Sequence, residues 1–218
     1  MEIGKYIDHT NLKMDAKTSD IEKLCKEAIE YGFESVCVHP YYVPLAKKLL
    51  EGTNVNVCVV IGFPLGMNTP KTKAFEAVEA LELGASEFDM VINVGALKDK
   101  DYDYVKREIE EVRDVLEGKT LKVIIETSLL DDNEIIKMTE ICNETFVNFI
   151  KTSTGFGSRG ASLNDVKLMN KHKNDVLEIK ASGGIGNFKQ MDELIKAGAT
   201  RIGTSHGVEI IKSMKEDS

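Results

Sequence analysis

The chain alternates short runs of β-branched and other apolar residues with longer amphipathic segments from one end to the other. In the longer segments apolar residues recur at three- and four-residue spacing, which predicts helices, while the short runs have the length and composition of strands. The pattern predicts eight strand-then-helix units. The expected strands lie near Tyr6–Thr10, Ser35–His39, Val57–Phe63, Glu87–Asn93, Leu121–Thr127, Phe146–Thr152, Leu177–Ala181 and Arg201–Thr204, and the clearest helices at Ser19–Tyr31, Pro70–Leu83, Tyr102–Leu116, Asp132–Cys142, Leu163–Lys171, Phe188–Ala197 and His206–Met214.

The predicted strands indicate a sheet that helices cover on both faces. The run Val57-Cys58-Val59-Val60-Ile61 has no polar position that could face water. Such strands are typical of parallel sheets, and eight strand-helix units in one domain most often close into a barrel. No Pro-rich or Gly/Ser-rich linker divides the sequence. We therefore expect an α/β fold, a single (β/α)8 TIM barrel that forms one domain over residues 1–218.

Composition and charge exclude several classes of protein. The formal net charge is −8, and acidic and basic residues are interspersed along the helices, which argues against a nucleic-acid surface. The longest apolar run, Val57–Phe63, is far too short to span a bilayer, and Met1–Lys13 lacks the features of a signal peptide. The cysteines lack metal-ligand spacing and are expected to be reduced thiols. We expect a cytoplasmic protein without nucleic-acid or membrane partners.

Two lysines end apolar runs and are followed at once by small residues. Lys151 lies in Phe149–Gly155, and Lys180 lies in Glu178–Gly184. Lysine is rarely buried without a partner, so this placement suggests a function. Side chains alternate between the two faces of a strand, which places both lysines and Asp89 inside the barrel. The three side chains should therefore meet at the carboxyl ends of the strands, where barrel enzymes have their active sites.

This constellation predicts Schiff-base chemistry. A protonated lysine cannot attack a carbonyl, whereas partial burial and a second cation nearby favour the neutral amine. An inward aspartate can then carry protons to and from the imine. The glycines and serines of the neighbouring turns, at the starts of helices, are suited to bind a phosphate through backbone N–H groups.

Other interpretations remain open at this point. An inward lysine–aspartate pair can be a structural salt bridge, and glycines can simply form tight turns. Glu178 either enters the lumen below Lys180 or lies at the solvated bottom of the barrel, and Glu126 has no clear position. His9 and His39 are expected to form hydrogen bonds within the scaffold.

Several strings resemble those of the 2-deoxyribose-5-phosphate aldolase family. The resemblance extends from Tyr6 to about Gly207, and the string around Lys151 is highly specific. The strings are Tyr6-Ile7-Asp8-His9-Thr10-Asn11-Leu12, Val36-Cys37-Val38-His39-Pro40, Val60-Ile61-Gly62-Phe63-Pro64-Leu65-Gly66, Glu87-Phe88-Asp89-Met90-Val91-Ile92-Asn93-Val94-Gly95, Ile150-Lys151-Thr152-Ser153-Thr154-Gly155-Phe156, Lys180-Ala181-Ser182-Gly183-Gly184-Ile185 and Arg201-Ile202-Gly203-Thr204-Ser205.

The resemblance implies a class I aldolase that needs no metal or other cofactor. Such an enzyme reversibly cleaves 2-deoxy-D-ribose 5-phosphate to acetaldehyde and D-glyceraldehyde 3-phosphate, a step of deoxyribose phosphate catabolism. By residue match Lys151 is the Schiff-base lysine, Lys180 is the second lysine that activates it, and Asp89 belongs to the proton relay. The positions that match the phosphate surroundings of the family are Gly155, Gly183, Gly184, Gly203 and Ser205.

The sequence departs from the family pattern at three places. Gly186 stands where a basic residue is often found, His206 replaces a second serine, and the tail Lys212–Ser218 lacks a terminal tyrosine. Two other functions remain as alternatives. One is another Schiff-base sugar-phosphate aldolase or a transaldolase, and the other is a catalytically silent barrel that binds a phosphosugar. A homo-oligomer is compatible with the sequence.

Overall fold

The structure, a computed structural model that describes residues 2–216, contains a closed barrel of parallel strands. Each strand pairs with the next in chain order, and β1 pairs with β8 to close the barrel. The expected TIM-barrel architecture is therefore confirmed. Residues 1, 217 and 218, which belong to the expected domain and tail, lie outside the described residues. The strands are β1 (Ile7–Thr10), β2 (Ser35–Val38), β3 (Asn56–Ile61), β4 (Glu87–Val91), β5 (Thr120–Ile124), β6 (Phe149–Lys151), β7 (Glu178–Ser182) and β8 (Arg201–Thr204).

Helices surround the barrel, and all those expected from the sequence are present. The helix of the second strand-helix unit, α2, had no predicted bounds, and α4 is an additional helix; at seven and five residues both are too short for a clear apolar period. Within residues 2–216, no helix combines the length and apolar character needed to cross a membrane. The helices are α1 (Thr18–Tyr31), α2 (Val43–Leu49), α3 (Pro70–Glu82), α4 (Val94–Lys98), α5 (Tyr102–Val115), α6 (Asp132–Glu144), α7 (Leu163–His172), α8 (Phe188–Ala197) and α9 (Gly207–Glu216).

Strand β6 is shorter than the sequence predicts. It begins at Phe149 rather than at Phe146, because Phe146 has a φ of 52° and so lies in the left-handed region. That conformation breaks an extended strand, and the Phe146 ring is 79% exposed. The apolar run therefore covers a turn as well as a strand.

The main core lies between the outer faces of the strands and the helices. On β3, Val57, Val59 and Ile61 belong to this core, whereas Cys58 and Val60 belong to a smaller apolar cluster with other inward residues. The alternation predicted for a barrel strand is therefore present. Because helices cover the outer faces, the inner faces are free to hold polar side chains.

Strand register determines which inward side chains become neighbours. Lys151 of β6 pairs with Lys180 of β7, and Asp89 of β4 pairs with Lys122 of β5. Each of these pairs lies at one level of the barrel, so charged side chains from separate strands point into the same small space.

A buried ion pair joins α3 and α5 behind the barrel. Lys73 Nζ lies 2.5 Å from Glu108 Oε2 and donates to the Val91 carbonyl at 2.8 Å, while Glu108 Oε1 accepts the Asn93 N–H at 2.7 Å. Neither residue is exposed. Burial lowers the pKa of Lys73 and raises that of Glu108, and their pairing opposes both shifts. The pair thereby ties the end of β4 to two helices.

Replacing Lys73 with methionine should destabilise the protein because Glu108 would remain buried without its cation. We expect the free energy of unfolding to fall by about 3–5 kcal/mol, and much of this loss to be recovered in the double variant Lys73→Met/Glu108→Leu. Urea denaturation followed by circular dichroism measures both. Lys106→Met, which removes the exposed partner of Glu144, serves as the control and should change the midpoint little. A midpoint for Lys73→Met equal to that of the control would show that the buried pair does not hold the helices to β4.

Candidate active site

Asp89 lies at the centre of a cluster of buried charges in the barrel lumen. Its Oδ2 is 2.7 Å from Lys151 Nζ and 2.7 Å from Lys180 Nζ, and its Oδ1 is 3.1 Å from Lys122 Nζ. Asp89 and Lys180 are fully buried, and Lys151 is 3% exposed. The structure therefore brings together the three side chains that strand alternation placed inside the barrel.

Four further members of this cluster were not predicted from the sequence. Lys180 Nζ lies 2.5 Å from Asp8 Oδ2, and Arg201 Nη1 lies 2.8 Å from Asp8 Oδ1. Glu87 Oε2 lies 2.5 Å from Lys122 Nζ and 3.0 Å from Arg201 Nη1. The alternation that identified Asp89 also places Asp8, Glu87 and Lys122 inward, but no glycine-rich turn follows these residues to draw attention to them.

The charges of Asp89 and Lys180 are fixed by their surroundings. Burial alone would raise the pKa of Asp89, but the ammonium groups of Lys122, Lys151 and Lys180 hold it well below its ordinary value. Burial would likewise lower the pKa of Lys180, but the carboxylates of Asp8 and Asp89 raise it above its ordinary value. Lys180 is therefore a protonated ammonium group beside Lys151, and Asp89 is an ionised carboxylate.

A cavity of about 1080 Å³ opens above this cluster at the carboxyl ends of the strands. Lys151 lies in its wall. The glycines of the neighbouring turns have positive φ angles, of 88° at Gly155, 84° at Gly183 and 75° at Gly184, which favour glycine. All the residues predicted to surround a phosphate line this cavity, namely Gly155, Gly183, Gly184, Gly203 and Ser205.

The turns also leave backbone donors free at the cavity wall. Within residues 2–216, the N–H groups of Gly155, Gly183 and Gly184 have no hydrogen-bond acceptor in the protein. Gly183 is half-buried, and Gly155 and Gly184 are exposed to the cavity, so these donors are accessible to an anion that enters it. A Cβ at Gly155 or Gly184 would have no neighbour within 4 Å, which shows that both face open space.

Gly203 has an additional steric role. A Cβ at this position would lie 3.0 Å from Cε of Lys180 and 3.1 Å from Cβ of Ser182. The absence of a side chain therefore makes room for the Lys180 side chain across β8. Ser205 follows β8 and is exposed to the cavity, and His206 is an exposed residue directly before α9.

His9 and His39 form hydrogen bonds within the scaffold, as expected. His9 Nε2 lies 2.8 Å from Glu27 Oε2 of α1, and His39 Nε2 lies 3.1 Å from the Leu12 carbonyl oxygen. Both bonds tie strand ends to neighbouring segments.

The two glutamates left open by the sequence lie at opposite ends of the barrel. Glu178 is exposed at the start of β7 and accepts a hydrogen bond of 2.9 Å from Thr200 Oγ1, so it lies at the solvated bottom. Glu126 is buried beyond the end of β5, where its carboxylate accepts hydrogen bonds from Thr154. Glu126 therefore lies at the carboxyl end of the barrel, in contact with Thr154, which lines the cavity.

One group of potential metal ligands in the lumen is poorly suited to hold a metal ion. Ligand atoms of Asp8, Cys58 and Glu87 lie within 4.8 Å of one another. However, Lys122 Nζ lies 2.5 Å from Glu87 Oε2 and 3.4 Å from Cys58 Sγ, so an ammonium group already neutralises this position. A metal ion there would face a buried like charge.

Comparison with known proteins assigns the chain to a family. Residues 3–213 match the model of the DeoC/LacD family aldolases. A deoxyribose-phosphate aldolase of Clostridium tetani is 56% identical over 216 residues, covering 99% of this chain and 100% of the relative. One of Thermococcus gammatolerans is 55% identical over 219 residues, covering 99% of this chain and 97% of the relative.

A solved structure is similar over the same range. The structure described as the unique tetrameric structure of deoxyribose phosphate aldolase from Aeropyrum pernix has a TM-score of 0.90 and 32% sequence identity, and it covers 98% of this chain and 91% of that chain. The sequence strings, the closed barrel and the clustered lumen charges agree with these similarities. The chain belongs to the DeoC/LacD family of aldolases.

Proposed function

We propose that this protein is a class I aldolase that reversibly cleaves 2-deoxy-D-ribose 5-phosphate to acetaldehyde and D-glyceraldehyde 3-phosphate. Relatives with more than half of their residues identical across the chain carry the name deoxyribose-phosphate aldolase. The observation that carries the mechanism is the position of Lys151, whose Nζ lies in the cavity wall 2.7 Å from an Asp89 oxygen shared with Lys180.

The charge balance of the cluster supports Lys151 as the nucleophile. The cluster contains four basic side chains and three acidic ones, so it is neutral when one amine is uncharged. Lys151 contacts a single carboxylate, whereas Lys180 contacts two and Lys122 lies near three. The fewest ion pairs are therefore lost when the uncharged amine is that of Lys151. Lys151 is also the lysine that lines the cavity.

The proposed cleavage runs through an imine. The Lys151 amine adds to the C1 aldehyde of the open-chain sugar, and water leaves. Loss of the C3 hydroxyl proton breaks the C2–C3 bond, and its electron pair forms an enamine while glyceraldehyde 3-phosphate departs. C2 then takes up a proton, and water hydrolyses the resulting imine to acetaldehyde and the free amine.

Asp89 and Lys180 are proposed to handle the protons of these steps. In the resting site Lys180 is protonated, because its carboxylate partners raise its pKa. Its Nζ and that of Lys151 share Asp89 Oδ2 at 2.7 Å, so a proton can pass between the amines through this oxygen. The ionised Asp89 also orients both amines.

The phosphate is proposed to bind at the backbone donors of the glycine turns. Gly155, Gly183 and Gly184 offer free N–H groups at the cavity wall, and Ser205 adds a hydroxyl. A dianion can be held by such donors and by the starts of α8 and α9 without a basic side chain at Gly186.

The remaining proposals concern domain organisation, cellular location and assembly. We propose that residues 1–218 act as one domain in the cytoplasm, a location compatible with the four buried free cysteines.

A homo-oligomer is supported by exposed apolar side chains at Leu65, Met67 and Phe75, and a related structure is described as tetrameric. The family assignment does not favour a catalytically silent barrel, because binding alone requires no amine nucleophile.

Trapping the imine tests the assignment of Lys151. Incubation with acetaldehyde followed by borohydride reduction should modify Lys151, and mass spectrometry of peptides locates the adduct. Lys151→Ala should lose both the adduct and the cleavage activity. A dominant adduct on Lys180 or Lys122 would contradict the assignment.

Asp89→Asn should impair both turnover and stability. Loss of the carboxylate removes the proton relay, so kcat should fall by roughly 10²–10⁴. It also leaves buried ammonium groups short of a partner, so the free energy of unfolding should fall by about 3–5 kcal/mol. Asp192→Asn, which disrupts an exposed pair with Lys196, is the control and should change neither. A loss of stability with unchanged kcat in the folded fraction would assign Asp89 a purely structural role.

Ser205→Asp tests the position of the phosphate. A carboxylate at this place would repel the dianion, so KM should rise for 2-deoxyribose 5-phosphate but change little for unphosphorylated deoxyribose. Steady-state kinetics with both sugars measures the difference. Equal effects on the two sugars would show that the phosphate binds elsewhere.

A further inference from the structure

Glu126 occupies an unusual position beside the strand that carries Lys151. The N–H groups on either side of it donate across to β6 and its continuation, from Ile125 to the Lys151 carbonyl at 3.0 Å and from Thr127 to the Thr152 carbonyl at 2.8 Å. Between them Glu126 itself has a φ of 51° and a ψ of 68°. A left-handed conformation is unfavourable for glutamate, so other contacts must stabilise it.

The Glu126 carboxylate fixes the turn that follows Lys151. Its Oε2 accepts the Thr154 backbone N–H at 3.2 Å and also the Thr154 hydroxyl, and its Oε1 accepts the Ser128 hydroxyl at 3.0 Å. The turn packs closely against this group, because a Cβ at Gly157 would lie 2.8 Å from Glu126 Oε1.

The contact extends through Thr154 to the next residues. The Thr154 hydroxyl donates its hydrogen to Glu126, so its oxygen is available to accept the Phe156 N–H at 3.0 Å. The N–H groups of Thr154 and Phe156 are thereby both engaged. In the described part of the chain, the N–H of Gly155 between them has no protein acceptor, and Gly155 lines the cavity.

The carboxylate of Glu126 serves this hydrogen-bonded arrangement and does not itself attract the substrate. The Glu126 side chain is only 5% exposed, and burying a carboxylate costs free energy. The groups that donate hydrogen bonds to it are all uncharged. A carboxylate near a phosphate site also repels the ligand. A carboxylate is, however, an acceptor-only group, so it forces the Thr154 hydroxyl to point in a single direction.

We propose that Glu126 is a positioning residue for the phosphate of the substrate, which acts through Thr154 to keep the Gly155 N–H available at the cavity wall. This inference rests on the proposed function. It distinguishes the phosphate contacts from the imine chemistry, because Glu126 has no contact with Lys151 Nζ, Lys180 Nζ or Asp89 in the described residues.

Kinetics of Glu126→Ala with two sugars test this proposal. Loss of hydrogen bonds to a charged group should release the turn and raise KM for 2-deoxyribose 5-phosphate by roughly 10-fold or more. KM for unphosphorylated deoxyribose, and the rate at which acetaldehyde is trapped on Lys151, should stay within about twofold of the parent protein, because neither requires the phosphate contacts.

Conservative variants show whether the hydrogen bonds carry the effect. Glu126→Gln retains an oxygen that can accept from Thr154 and should restore most of the affinity for the phosphorylated sugar. Thr154→Val should reproduce the effect of Glu126→Ala, while Thr154→Ser, which keeps the hydroxyl, should not. The combined Glu126→Ala/Thr154→Val variant should be little worse than either single one, since both remove the same contact.

Glu178→Ala is the matched control. Glu178 also accepts a threonine hydroxyl, at 2.9 Å from Thr200, but lies at the bottom end of the barrel, so both KM values should be unchanged. If Glu126→Ala fails to fold, as judged by circular dichroism, the pair Thr154→Val and Thr154→Ser decides the question.

Two results would overturn the proposal. One is an equal loss with both sugars, which would assign Glu126 to the general stability of the site. The other is an unchanged KM for the phosphorylated sugar in folded Glu126→Ala or Thr154→Val. Failure of the proposed function is recognised separately, because the parent protein itself would then neither form the imine at Lys151 nor cleave the sugar.

Discussion

The stability of the barrel depends on burying its interior charges together, in contact with groups of opposite charge. A carboxylate or ammonium alone in the lumen would be strongly destabilising, and each of these groups is tolerated because its neighbours carry the opposite charge. Asp89 contacts three lysines, and Asp8 links Lys180 to Arg201. The same contacts that make the interior stable also keep an ammonium and a carboxylate beside Lys151. A structural salt bridge and the proposed catalytic arrangement are therefore compatible in this lumen, because the same network would serve both.

The fold and the upper layer of the site could be predicted from the sequence, for identifiable reasons. The apolar strands and amphipathic helices repeat clearly enough to predict the barrel, and Lys151 and Lys180 are conspicuous because Ser/Thr/Gly turns follow them. Lys122 was overlooked because its strand, β5, ends without such a turn. Its partners depend on register between strands, which no local pattern reveals. Glu126 could not be placed for a similar reason. Its contacts depend on a left-handed backbone conformation, and no glycine in the sequence indicates one at this position.

The two halves of the proposed substrate site use different kinds of group. The reacting carbon would meet side chains whose charges are maintained by oppositely charged neighbours. The phosphate would meet backbone N–H groups of turns containing Gly155, Gly183 and Gly184. Backbone donors keep their polarity at every pH, and they add no cation to the already crowded interior. The glycines allow the backbone to approach a ligand closely, whereas neighbouring groups hold the turns in place.

The distribution of the interior charges along the chain has a consequence for assembly. All three acidic members, Asp8, Glu87 and Asp89, come from strands β1 and β4, whereas all the basic members come from strands β5 to β8. Each half-barrel alone would present a lumen of a single sign and would have to remain hydrated. Repulsion among these carboxylates therefore opposes closure of the amino-terminal half, which a ribosome releases first, and electrostatic attraction between the halves favours their joining until β8 meets β1. Ion pairing inside this barrel thus favours cooperative folding of the two halves.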